Sequence, residues 1–283
     1  MANLLILKRR IQTAQNVSKT TRALQMISAS KLKRAQEAAL MGRPYVEKLT
    51  DVAQSVALGV EKENSHKYMK QNGSDKNLVV VISPDKGLCG SLVTNLSREI
   101  ILNTQKDSSF VTFGRKVELN LAKLGKEIIA AFPFGTTLPS FDVVYPIVNL
   151  IDENYLNNKV GNVSILYTNF QSVFTQKAII KTLLPIQLPR EDKKEENMLF
   201  EPDLISLLPS ILRHFIEMSI YQSILESYAS EQSARMIAMK NATDNANDII
   251  KELKLDYNKG RQEKITNEIL DIGGATFALQ NEE

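Results

Sequence analysis

The first sixty residues read as one long helix with a seam. Apolar or small side chains recur at Leu4, Leu7, Ile11 and Ala14, then at Val17, Leu24 and Ile27, then at Leu32, Ala35 and Ala39. Within each block the spacing is mostly three and four, but the blocks are out of phase. That predicts a coiled-coil seam with stutters rather than a strict heptad. Proline and glycine are absent before Gly42, and good helix formers dominate. The Gly42-Arg43-Pro44 step is expected to bend or briefly break the helix.

The other end of the chain carries a second long pattern. No proline or glycine occurs from Ser210 to Lys259, and Gly260 alone intervenes before Gly273. Leu208, Ile211, Phe215, Met218, Tyr221, Leu225 and Tyr228 recur at helical spacing. From Ala229 to Asp248 the pattern turns small and polar, through Ala229, Ser233, Ala234, Ala238, Ala242 and Ala246. Ser28, Ala29, Ser30, Ala35, Ala38 and Ala39 are expected to face this stretch and allow close approach. Lys240, Asn241, Asp244, Asn245 and Asn247 would then point outward, which makes sense for a helix that something else surrounds. A helix from Ser210 to Ile272 would be roughly 95 Å long. A compact body of 283 residues measures only about 50 Å across, so the helix is predicted to project.

Between the helices the period changes. Leu78–Ile82 reads as a buried strand, Gly90 to about Gln105 as a helix, Phe110–Phe113 as a strand and Arg115–Leu124 as a helix. Ile128–Phe132 follows as a strand, Phe141–Asn157 as a helix, Val163–Tyr167 as a strand, and Ala178–Leu188 as a strand closing the sheet. This alternation predicts an α/β domain with a mostly parallel sheet. Glu61–Asn77 and Arg190–Pro202 read as polar linkers. The expected layout is an N-terminal helix over 1–60, an inserted domain over 77–190 and a C-terminal helix over 203–283. An antiparallel two-helix coiled coil with the α/β domain at one end is the simplest solution.

Charge sharpens this picture. Residues 1–60 carry ten Lys and Arg against Glu37, Glu47 and Asp51, while the whole chain is only +3. Residues 1–36 hold Lys8, Arg9, Arg10, Lys19, Arg22, Lys31, Lys33 and Arg34 with no acid. Like charges without i,i+4 partners repel one another, so an acidic partner is the better reading than a merely solvated face. Nucleic acid is one such partner, but no aromatic residue precedes Tyr45 to stack on bases.

Chemistry is sparse. The Asp85-Lys-Gly-Leu-Cys-Gly-Ser91 loop joins a strand to a helix but has neither nucleotide-binding glycine spacing, and a tight βα turn is the better reading. Cys89 is the single cysteine, so no internal disulfide forms and a reducing compartment is expected. His66 and His214 lie far apart in sequence and give Cys89 neither a catalytic partner nor a metal cluster. Glu195-Glu196 reads as a solvated linker pair. The expectation is no active site, no cofactor and no metal. Leu4–Leu7 is too short for a signal peptide and Leu78–Ile82 too short to span a bilayer, so an interior location is expected.

Two stretches carry a resemblance. Ser230-Glu-Gln-Ser-Ala-Arg-Met-Ile-Ala-Met-Lys-Asn-Ala-Thr-Asp-Asn-Ala246 and Tyr257-Asn-Lys-Gly-Arg-Gln-Glu-Lys-Ile-Thr-Asn-Glu-Ile269 resemble the signature of the γ subunit family of F-type ATP synthase. Lys8–Gln36 and Asp85–Gly90 match the same family in order. The resemblance implies a Rossmann-like inserted domain, a central rotor shaft inside a ring of α and β subunits, and a foot resting on the membrane c-ring beside ε. It implies a β-subunit contact at Arg261 and Gln262, and a second for Lys19, Arg22, Lys31, Lys33 and Arg34, which face an acidic segment of β. It aligns Lys86, Cys89, Phe200, Glu201 and Asp203 with foot segments near the c-ring and ε. It further implies a proton-translocating complex, with sodium as the alternative coupling ion. The chain would be a non-catalytic subunit, peripheral on the cytoplasmic face of a bacterial inner membrane and attached only through the complex. Leu24 stands at a usual methionine, Gly260 at a common alanine, and the Asp271–Ala275 tip is one residue shorter than usual. The alternative is a basic coiled-coil protein that binds nucleic acid or acts as a scaffold.

Overall fold

The computed structural model describes residues 2–59, 66–105, 107–187, 201 and 203–280. The chain forms two compact units, one of Met1–Ile27 with Met236–Glu283 and one of Ser28–Arg235. Helices α1 (Ala2–Gly59) and α5 (Leu204–Gln280) contribute to both. Most of the Arg190–Pro202 linker and the start of Glu61–Asn77 lie outside the described residues.

In the larger unit, β1 (Asn77–Ile82), β2 (Ser109–Phe113), β3 (Ile128–Phe132), β4 (Asn162–Phe170) and β5 (Gln176–Leu184) form one sheet in the order β3-β2-β1-β4-β5. The β1–β2, β1–β4 and β2–β3 pairs are parallel, and β5 returns antiparallel on β4. Helices α2 (Leu92–Asn103), α3 (Arg115–Lys123) and α4 (Val144–Tyr155) make the crossovers. Alternating side chains of β1 sort to the two faces, and Val79 and Val81 join Leu96, Ile100, Val117 and Leu121 in one buried cluster. The expected alternation is present. The last strand begins earlier than read and stops at Leu184.

Within each unit α1 and α5 pair antiparallel. In the smaller unit Ser18 Oγ donates to Asn247 Oδ1 at 2.8 Å, the Thr21 and Thr243 hydroxyls meet at 2.7 Å, and Leu4 lies against Gly260. In the larger, Gln222 Nε2 donates to the Ala39 carbonyl at 3.2 Å and Tyr45 Oη meets His214 Nε2 at 2.8 Å. Each step forward on one helix is a step back on the other.

The seam itself differs from the sequence expectation. Leu4, Leu7, Ile11, Ala14, Ser18, Thr21, Gln25, Ser28, Leu32, Ala35 and Ala39 are all wholly or partly shielded, at alternating steps of three and four. This is a strict heptad with no stutter. Its middle is polar, so an apolar count jumps to Val17 and Ile27, which are exposed. Partial or full shielding at the same spacing continues on α5 through Met236, Met239, Thr243, Ala246, Ile250, Leu253, Tyr257 and Gly260. Ala39 lies level with Gln222, before the small-residue stretch.

Two further readings change. Helix α1 is continuous through Pro44. Gly42 is a packing notch there, because a Cβ would come within 2.6 Å of Gln222 Oε1. On α5 the fully buried stripe before the small-residue stretch is Leu212, Ile216, Ile220, Ile224 and Tyr228, four apart. Ile211, Phe215 and Met218 are only partly shielded and belong to the heptad seam.

The Glu61–Asn77 segment is also more than a linker. A 3-10 turn at Lys67–Met69 buries Tyr68, whose hydroxyl donates to Asp152 Oδ1 at 2.5 Å. Arg213 of α5 donates to the same carboxylate at 2.6 Å, to Asn149 Oδ1 at 2.7 Å and to Glu217 Oε1 at 3.2 Å. Burial pushes the Asp152 carboxyl up, while the Tyr68 bond and the Arg213 charge pull it down. Because its folded pKa lies above the unfolded value, ionising Asp152 costs stability, and that cost grows as pH rises through the folded pKa.

Two measurements follow. Arg213→Ala leaves Asp152 ionised without its cation, so urea midpoints should show a loss of about 2 kcal/mol at pH 7. The loss should shrink as pH falls and Asp152 takes up a proton; a loss that grows as pH falls would contradict this account. At Gly260 a Cβ would meet Leu4 Cδ2 at 3.3 Å, the free end of a flexible side chain. Gly260→Ala should therefore keep most of the helix-propensity gain of up to about 1 kcal/mol and raise the thermal midpoint.

Candidate functional site

The order β3-β2-β1-β4 reverses direction between β1 and β4, and open sheets of this kind bind ligands in the crevice beyond the carboxyl ends of those two strands. Here the chain's own helix lies there. Strand β1 stops at Ile82, while β4 runs on to Phe170. The exposed edge of β4 is taken by α5: the Thr168 N–H donates to Ser227 Oγ at 3.2 Å, and Ser230 Oγ donates to the Thr168 carbonyl at 3.1 Å. Ser233 Oγ then donates to the Val173 carbonyl at 2.7 Å.

The Asp85–Ser91 loop closes over the same stretch of α5. Arg235 Nη2 donates to the Lys86 and Gly87 carbonyls, each at 3.2 Å. Its guanidinium also pairs with buried Glu231 at 2.7 Å. Burial pushes the Glu231 carboxyl up and Arg235 opposes the shift. Asp85 accepts from the backbone N–H of Arg115 at 3.0 Å and of Gly135 at 2.8 Å. Leu88 and Gly90 take positive φ, as a tight turn requires. The loop is thus a βα turn fastened to a helix.

Cys89 is 2% exposed and belongs to the core cluster, and burial pushes its thiol pKa up. The side chains this loop shows to solvent are Lys86, Leu88 and Ser91. Glu201 is exposed, and Phe200 lies outside the described residues. Asp203 caps α5: its side chain accepts from the Ser206 hydroxyl and its carbonyl accepts from the Leu207 N–H at 3.2 Å. Asp directly before the first helical residue is the sequence signal for such a cap. Asp203 and Arg235 are separated by about 48 Å of α5 at 1.5 Å per residue. One compact contact therefore cannot hold both Lys86 and Asp203. Lys31 lies instead at the Lys86 end, donating to the Thr136 carbonyl at 2.5 Å, beside Gly135 and its bond to Asp85.

In the smaller unit Lys19 and Arg22 are exposed, as are Lys8, Arg9 and Arg10. Arg261 and Gln262 are exposed one step beyond the Gly260 contact. Among the described residues none of these cations forms an ion pair; those of α5 in this unit are Lys251–Asp248 and Lys264–Glu268. The same unit leaves large apolar side chains in solvent, including Met26, Leu255, Ile269 and Leu270. No helix among the described residues is long and apolar enough to cross a membrane.

A family model described as ATP synthase matches residues 3–279. The ATP synthase gamma chain of Dehalococcoides mccartyi is 43% identical over 285 residues, covering 99% of this chain and 100% of that one. That of Legionella pneumophila is 35% identical over 289 residues, with 99% and 100% covered. Among solved structures, a chain of the Euglena gracilis mitochondrial ATP synthase (OSCP/F1/c-ring, rotational state 3) superposes with a TM-score of 0.71 at 17% identity, covering 98% of this chain and 95% of that one. A chain of the Tetrahymena thermophila central stalk/c-ring structure gives 0.60 at 22% identity, with 79% and 99% covered. At those identities the structures speak to the fold.

Proposed function

The chain belongs to the ATP synthase γ-chain family and is a central-stalk subunit of the F-type enzyme; we propose that it works there as the rotor shaft, non-catalytic itself, turning inside a ring of α and β subunits. The observation that carries the reading is the smaller unit. A two-helix pair with a partly polar seam, exposed large apolar side chains, and exposed cations that form no ion pair among the described residues is built to be surrounded.

A ring of identical catalytic subunits can differ in nucleotide affinity only if something touches each differently. A shaft with distinct faces supplies that asymmetry, and by linkage the coupling runs both ways. Moving one site from 1:99 to 99:1 needs a differential of about 5.5 kcal/mol. A few charge-assisted contacts of roughly 1.5–3 kcal/mol each are enough. Arg261 and Gln262 supply one such contact with β. Lys19, Arg22, Lys31, Lys33 and Arg34 supply another, with an acidic β segment. Lys86 joins that second set rather than the foot, since its loop is fastened at Arg235 near Lys31. Glu201 and the Asp203-capped start of α5 stand at the opposite end, toward ε and the c-ring. The chain then holds to the cytoplasmic face of the membrane through the complex, coupled to proton flow. The nucleic-acid alternative has no support from these relatives.

Reconstitution with α and β subunits tests the proposal. Adding the chain should confer cooperative ATP hydrolysis and rotation of a probe fixed to the α/β domain. Vigorous cooperative hydrolysis by α and β alone, unchanged by the chain, would refute it. Arg261→Ala should lower the synthesis rate on the order of tenfold, ~1.4 kcal/mol, with the circular dichroism spectrum unchanged.

A further inference from the structure

The turn joining β4 to β5 carries Phe174, 85% exposed. An aromatic on a loose loop would lose ordering entropy on binding, but this tip is fixed. Ser172 Oγ accepts from the Phe174 N–H at 3.3 Å and the Thr175 N–H at 3.1 Å. Gln176 Nε2 donates to the Val173 carbonyl at 2.7 Å, and Ser233 Oγ of α5 donates to the same carbonyl at 2.7 Å. The backbone that carries the ring is thus fixed, while the ring itself stands in water and serves no part of the chain's own core. A large exposed aromatic on a pre-ordered turn loses little further backbone entropy on binding, which suits an interface anchor.

Its surroundings set the partner's chemistry. Ser233 and Arg235 brace two tips on the same turn of α5, the Phe174 hairpin and the Lys86–Leu88 loop. Lys177 lies three residues from Phe174 and Lys86 lies on the loop braced beside it; both are exposed, and neither forms an ion pair among the described residues. The acids of that loop and of the adjoining stretch of α5 are engaged: Asp85 by two backbone N–H groups, Glu231 by Arg235, and Glu226 by Arg43 and Asn169.

We propose that Phe174 is an apolar anchor that inserts into a pocket on an acidic segment of the surrounding ring, alongside the basic stretch. This rests on the rotor reading above and adds to it a residue outside the two long helices. Cationic neighbours steer the acidic segment and set orientation, while the ring supplies the desolvated contact.

The test uses a thiol. Cys89 is the only cysteine and is buried with its thiol pKa raised, so in a Phe174→Cys variant maleimide reports position 174 almost alone. Labelling should be fast in the isolated full chain and at least tenfold slower once it is assembled with α and β subunits. Leu119→Cys, at an exposed site on α3, should label equally in both states. In parallel, Phe174→Ala should weaken assembly roughly tenfold. Failure of the wild-type chain to assemble with α and β would refute the rotor reading. Assembly with unchanged labelling at position 174 would refute the anchor alone. Protection that grows with concentration of the isolated chain would assign the face to a second copy and overturn the proposal as well.

Discussion

Ser227, Ser230 and Ser233 lie three residues apart on α5, and each bonds the β4 strand or the hairpin that follows it. Those bonds depend on a mismatch in strand length. Because β1 ends before β4 does, Thr168 has a backbone N–H and carbonyl with no strand on the β1 side, and buried backbone groups must find partners. The helix provides them. A doubly wound sheet that would otherwise offer a ligand crevice becomes a socket for its own C-terminal helix, and Arg235 closes the socket from the other side.

The same arrangement explains how a domain can act on a helix. Side-chain bonds at Ser227, Ser230, Ser233 and Arg235, with Tyr228 stacked on Phe134, leave α5 no easy rotation against the sheet. Near the start of the helix Arg213 ties it to Asp152, Asn149 and, through Asp152, to Tyr68. Fixed at two levels, the helix would pass on whatever turns the domain. Beyond Arg235 the priorities reverse: shielding is slight, the seam is partly polar, and stability is given up for surface.

Much of this was legible in the sequence. The absence of Gly and Pro announced both long helices, and the switch from a helical to a strand period announced the inserted domain. The acid-free stretch of α1 announced exposed cations, because eight like charges cannot satisfy one another. The strict heptad was not legible from apolar residues, since Ser18, Thr21, Gln25 and Ser28 occupy seam positions. Ser18 and Thr21 are tolerated there because the partner helix offers Asn247 and Thr243 to bond. The buried role of Tyr68 was hidden inside a polar run, because its partner Asp152 is eighty-four residues away. The resemblance aligns Cys89 with foot segments near the c-ring and ε, but the turn around it, with positive φ at Leu88 and Gly90, places its side chain in the core.

By itself the sequence determined which segments are helix and strand, where charge accumulates, and which family signature the chain carries. These follow from local propensity, periodicity and composition. Tertiary structure decided that α5 fills the crevice, that Lys86 shares an end with Lys31 rather than Asp203, and that Phe174 stands exposed on a turn tied to α5. Each of those rests on bonds between residues far apart in the chain, and local patterns do not encode which distant partner a polar group will meet.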